Sequence, residues 1–97
     1  MKTTQAKNLY KVMQRFADIT LLFIIQGNMK RAERCLGIAD KLLVRGNIII
    51  KNAVCNVYVY SLSRVLDRRD ERAMQVMKIL PFSIRNEYEH QVNCSGI

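Results

Sequence analysis

Two short stretches concentrate the side chains that could do chemistry. Between residues 64 and 72, Asp67, Asp70 and Glu71 alternate with Arg64, Arg68, Arg69 and Arg72, and between 87 and 94 come Glu87, Glu89, His90 and Cys94. In the first stretch every carboxylate has guanidinium neighbours. That is the pattern of a solvated ion-pair surface around a helix start, not of an acid–base dyad. In the second, His90 and Cys94 at i+4 offer two ligands to a metal site shared across a dimer, with Glu87 and Glu89 nearby; the plainer reading is an exposed tail. His90 is the chain's only histidine, which excludes a histidine-based relay and a multi-histidine metal site within one chain. The phosphate-loop, dinucleotide, zinc-protease and nucleophile-elbow patterns are all absent from the sequence. The chain reads as a non-enzyme with no catalytic residue, no metal and no cofactor.

A third set could bind rather than react. Lys30, Arg34, Lys41 and Arg45 stand at i, i+4, i+11 and i+15, so on a helix they share one face along which phosphates could line up. Asp40 and Glu33 flank this stripe and weaken its field. A helix-turn-helix would place Ile48, Ile49 and Ile50 where polar base-reading side chains belong, so sequence-specific reading of DNA is rejected. What remains is non-specific nucleic-acid binding, as an alternative to a solvated amphipathic face. The net charge of +8 is compatible with either and with plain solubility. Most of it sits in residues 1–46, which carry nine Lys/Arg against three Asp/Glu.

These groups must be positioned by one small domain spanning residues 1–97. Apolar residues make up 49% and charged residues 25%, a balance that argues for a packed core and against disorder. One proline and four glycines are too few for a loop-rich all-β fold. Cys35, Cys55 and Cys94 are odd in number and lack a C-x-x-C pair, so they read as free thiols in a reducing compartment. Residues 1–8 lack the apolar segment of a signal peptide, and the apolar run 19–25 is far short of the roughly 20 residues of a membrane span. The expectation is a cytoplasmic protein with no membrane partner.

Periodicity predicts four to five helices. The first covers 5–26, with Leu9, Val12, Met13, Phe16, Ile19, Thr20 and Phe23 as its core stripe, and Gly27 ends it. Its polar face disappears from residue 19 onward, so that half should be buried on more than one side. Asn28 caps a second helix ending at Gly46, whose core positions are Ala32, Cys35, Leu36, Ala39, Leu42 and Leu43. Asn47 caps a third to about residue 66. Its β-branched content favours strand, but helical spacing of Asn52, Asn56 and Ser63 and the lack of a turn signal over about twenty residues decide for helix. Asp70 caps a fourth, with Ala73, Val76, Met77 and Leu80 inward and Pro81 as its stop. A short fifth runs from 84 to about 93, anchored by Tyr88 and Val92.

Phe16, Ile19, Thr20, Phe23, Gly27, Ala32, Leu36 and Ala39 follow a large-then-small pattern across two helices, and in this they resemble one tetratricopeptide-type repeat. The match covers about a quarter of the chain, and Val44 stands where such a repeat often has proline. A second repeat on the third and fourth helices is divergent, because Arg64 and Arg68 replace its buried aromatic and its turn glycine. The C-terminal segment from Leu80-Pro81 through Glu87-Tyr88 and Gln91 to Ser95-Gly96-Ile97 resembles the ending of a family of short, uncharacterised bacterial helical proteins. The fold class is therefore all-α, built of antiparallel, tetratricopeptide-like helical hairpins.

The tetratricopeptide-type resemblance implies a ligand groove on the first and third helices. By alignment its apolar lining includes Leu21, Ile24 and Ile25 on the first, and Tyr58, Leu62, Val65 and Leu66 on the third. Two repeats cannot bury such a face alone. Either the segment 82–92 folds back over it, or a second copy or another protein covers it. The sequence reading is thus a non-enzymatic protein-interaction module, self-associating through these residues as a dimer. The alternative is a small nucleic-acid-binding accessory protein using Lys30, Arg34, Lys41 and Arg45.

Overall fold

Gly27, Gly46, Asp70 and Pro81 punctuate the chain into five helices, and each does so by a local device. In the computed structural model, which describes residues 2–95 with side-chain surroundings from 8 to 93, α1 spans Lys2–Ile25 and α2 spans Met29–Arg45. Gly27 turns the chain between them at φ 79°, a left-handed conformation that suits glycine. Asn28 caps α2 by accepting from Arg31 N. Gly46 serves by close approach instead: a Cβ there would lie 2.5 Å from Leu42 O and 2.6 Å from Ile50 Cγ2. Asn47 then accepts from Ile50 N at 3.0 Å and starts α3.

The third helix is continuous from 48 to 66 and is helical throughout its β-branched stretch. It is not uniform. Ile48–Ala53 and Tyr60–Leu66 are α-helical and flank a π-helical stretch, Val54–Val59. Its buried residues Ala53 and Val54 are followed by Tyr58 and Val59, five positions on rather than three or four. The wider turn keeps both pairs facing inward. Within this stretch the Cys55 carbonyl accepts from Gln91 Nε2 of the last helix at 2.8 Å.

After α3 the backbone takes φ 56° at Arg69, and Asp70 accepts from Ala73 N at 2.9 Å to start α4, Glu71–Ile79. Pro81 follows, and α5 runs over Phe82–Ser95. The first turn of α5 is capped from another helix: Asp40 Oδ1 on α2 accepts from Ser83 N at 3.0 Å and Ile84 N at 3.2 Å. Arginines serve the opposite ends. Arg72 donates to the Ile24 and Ile25 carbonyls at the end of α1, and Arg85 donates to Met77 O near the end of α4. Anions at N-termini and cations at C-termini both oppose the helix dipoles.

One core joins α1, α2 and α3, with α5 lying on α2 and the π turn. On α2 the small residues Ala32 and Ala39 are fully buried on either side of Leu36, which lets the neighbouring helices approach closely. Between α1 and α3 a polar line runs alongside the apolar contacts. Asn56 donates to Tyr10 OH at 3.2 Å, and Gln14 donates to Ser61 Oγ at 3.4 Å. At the centre, the Phe16 and Tyr58 rings stack with centroids 5.0 Å apart. Among the described residues no helix is long and apolar enough to cross a membrane.

Candidate protein-interaction groove

The seven apolar residues aligned to a groove on the first and third helices are mostly internal. Ile24, Tyr58, Leu62 and Leu66 are buried, and Leu21 and Val65 are half-buried against them. Only Ile25 is exposed. The faces of α1 and α3 that were expected to need a cover pack on each other, and Ile84 and Tyr88 of the segment 82–92 join the same core. The segment's own anchor is Ile84, which is fully buried, whereas the expected anchor Val92 is exposed. The expected self-association surface is the seam of a single chain.

The converse correction creates the candidate site. Val12 and Ile19 belong to the core stripe by periodicity, yet they are 62% and 47% exposed. The buried face of α1 is Met13, Ala17, Thr20 and Ile24. At about 100° per residue, Val12 and Ile19 lie more than a quarter turn away from the centre of that face. Packing against α2 and α3 together rotates them outward. Leu9, Val12, Met13 and Phe16 then line one wall of a groove of about 230 Å³, with Ile38 and Leu42 of α2 and Ile50 of α3 on the other. Ile38 is 53% exposed. All the lining side chains are apolar, and the volume is below the roughly 300–1,000 Å³ typical of small-molecule sites. It has room for a few apolar side chains.

The basic stripe is where periodicity places it. Lys30, Arg34, Lys41 and Arg45 are all exposed on α2, and no hydrogen bond or ion pair engages them among the described residues. Asp40 does not flank them as expected. Its carboxylate is half-buried and turned to the start of α5, as described above. Other acids also accept from side chains, at the surface or partly buried. Asp18 accepts from Gln14 Nε2 at 3.0 Å, Asp67 from Tyr88 OH at 2.7 Å, and Glu87 from Gln91 Nε2 at 3.1 Å. The stretch 64–72 is thus built from caps and clamps rather than from the expected ion pairs. Arg64 stacks over the Tyr60 ring at 5.7 Å.

The groups with chemical potential are subdued by their surroundings. Cys35 and Cys55 are free thiols. Burial, reinforced by the charge and hydrogen bond of Glu87, pushes the Cys55 thiol up to about 11, away from thiolate reactivity. Tyr88 is pushed up to about 12 by burial and by Asp67. Burial likewise raises Tyr58 well above the ordinary phenol range. A larger cleft of about 610 Å³ between α4 and α5 has Arg69, Glu89 and Tyr88 among otherwise largely apolar walls, without a nucleophile beside a base. Glu87 and His90 line a second, polar cleft with Ser83. The Cys94 side chain and residues 96–97 lie outside the described residues. No group of three metal-ligating side chains forms among the described ones.

A family model described as a domain of unknown function (DUF7674) matches residues 2–94. The chain belongs to that family. No curated protein and no solved structure matches it. The DUF7674 match agrees with the C-terminal residues in pointing to an uncharacterised helical family, and it does not extend to the tetratricopeptide-type resemblance.

Proposed function

We propose that this DUF7674 chain is a non-enzymatic protein-interaction module, and that it engages its partner in the groove formed by α1, α2 and the start of α3. The carrying observation is that Val12 and Ile38 stand more than half exposed on a floor with no polar lining. Such a floor loses free energy to water unless something covers it. In this proposal the two helices at its walls form a tetratricopeptide-like hairpin and the setting is reducing and cytoplasmic, a reading that the free Cys35 and Cys55 thiols support. Self-association through Ile24 and Leu62 loses its basis, because both are core. A dimer would have to use the groove instead.

The test is site-specific photocrosslinking in the producing cell. A benzophenone side chain at Val12 should give discrete protein adducts, and one at exposed Gln75 on α4 should not. Equal adducts at both positions, or none at Val12, would remove the reading.

A second reading is supported by the orientation of Asp40. With that carboxylate turned to α5, Glu33 is the one acid left flanking Lys30, Arg34, Lys41 and Arg45, and phosphates could bind non-specifically along their exposed face. Retention on duplex DNA that falls steeply with salt, and less steeply after Arg34→Ala and Lys41→Ala, supports it. No retention at low salt ends it.

A further inference from the structure

We infer that the groove receives an amphipathic helix with acidic flanks, supplied by another protein. This rests on the groove being the interaction surface and adds the chemistry of what fills it. On a helix, residues three and four apart are neighbours. The neighbours of Ile38 are therefore Arg34 and Lys41, that of Leu42 is Arg45, and that of Val12 is Arg15. All four cations are exposed, so the apolar floor is bordered by positive charge on both walls. None of the four is engaged by a hydrogen bond or ion pair among the described residues. Of the nearby acids, Asp40 caps α5 and Glu33 lies about 140° around α2 from Ile38, while Asp18, which accepts from Gln14, stands three residues from Arg15, so the border is most positive along α2.

The shape selects a helix. Leu9 and Phe16 are seven residues apart, or about 10.5 Å of rise, the distance between positions i and i+7 of a partner helix. Three leucine-type anchors at i, i+4 and i+7 would follow the floor while acidic side chains beside them meet Arg15, Arg34, Lys41 and Arg45. A second copy fits worse. A two-fold contact sets the same patch against itself, so the basic border of one copy would meet the basic border of the other, and like charges so placed oppose association. Nucleic acid would satisfy the border but leave a floor whose one ring, Phe16, is half-buried and already stacked on Tyr58.

The full chain, isotopically labelled, is titrated with two synthetic helical peptides. Both carry leucines at i, i+4 and i+7; one has glutamates on its flanks and the other lysines. The glutamate peptide is expected to bind at least about tenfold more tightly at low salt, with the gap narrowing as salt shortens the screening length. Amide shifts should concentrate at Val12, Phe16, Ile38, Leu42 and Ile50. Arg34→Glu with Lys41→Glu should invert the preference, and Ile38→Asp should abolish binding of both peptides. All three positions are exposed, and circular dichroism checks that each variant folds. Equal affinity for the two peptides in the groove would overturn the acidic partner and leave the interaction module standing. Binding of neither peptide, with a dimer in light scattering that Ile38→Asp separates, would make the occupant a second copy. A duplex DNA or phosphatidylglycerol vesicles binding in place of the glutamate peptide would also overturn the inference. A monomer that binds none of these probes would remove both it and the module reading.

Discussion

The buried hydroxyl pair between α1 and α3 predicts a specific non-additivity. Thr20 and Tyr58 are fully buried, and their oxygens are 2.7 Å apart. Thr20 Oγ1 also donates to Phe16 O at 3.0 Å. A threonine hydroxyl has one proton, so the arrangement that satisfies both groups has Tyr58 donating to Thr20 and Thr20 donating to Phe16. Thr20→Val keeps the shape but leaves the phenol hydroxyl buried without an acceptor, which should cost about 1–3 kcal/mol. Tyr58→Phe removes the donor, and Thr20 still reaches Phe16 O, so the expected cost is about 1 kcal/mol. The double variant has an apolar pair of nearly the same volume and should be less destabilised than the sum of the singles, with a coupling of about 1–2 kcal/mol. For a chain this size each kcal/mol moves Tm by roughly 4–8 °C, so thermal and urea unfolding followed by circular dichroism resolves all four corners of the cycle. Additivity within about 0.3 kcal/mol, or a Thr20→Val variant as stable as the wild type, would refute the donor chain.

Four further outcomes follow from the packing. Gly46→Ala should destabilise by about 1–3 kcal/mol, since its Cβ meets the Leu42 backbone and the entropic gain of about 0.4–1 kcal/mol is smaller; an unchanged Tm would contradict the close approach. Asp40→Ala should cost about 1–2 kcal/mol by uncapping α5, and Asp40→Asn should recover most of it; equal losses would show that the side-chain oxygen is not the cap. Ile24→Glu should unfold the chain, while Ile25→Glu at a 64% exposed neighbour should shift stability by less than about 0.5 kcal/mol; circular dichroism separates them. At high pH, Tyr88 has its folded pKa raised from about 10 to about 12, so its contribution is intact below about pH 10 and is lost as the pH rises through about 12. Phenolate absorbance and unfolding should therefore move together in that window, and phenolate formation at pH 10 by every tyrosine of the folded protein would contradict it.

What the chain determined locally is the set of helix ends. Gly27, Asn28, Asn47, Asp70 and Pro81 act on backbone groups within a few residues of themselves, so their roles are the same in the sequence and in the structure. The helical state of 48–66 was also legible, from spacing and the absence of turns. The basic stripe was legible as well, because a helix fixes which residues share a face. Which face turns inward is a different matter. It depends on where two or more neighbours sit, and α1 is apolar enough to be buried from several directions. Only the simultaneous packing of α2 and α3 chose Ala17 and Ile24 over Val12 and Ile19, and in choosing left the apolar groove in the open. The same holds for Asp40 on the backbone of Ser83, Arg72 on the carbonyls of Ile24 and Ile25, and Gln91 on the π turn. Each joins groups more than thirty residues apart. A side chain's local preference carries no information about a partner at that separation; the folded arrangement of the helices supplies it.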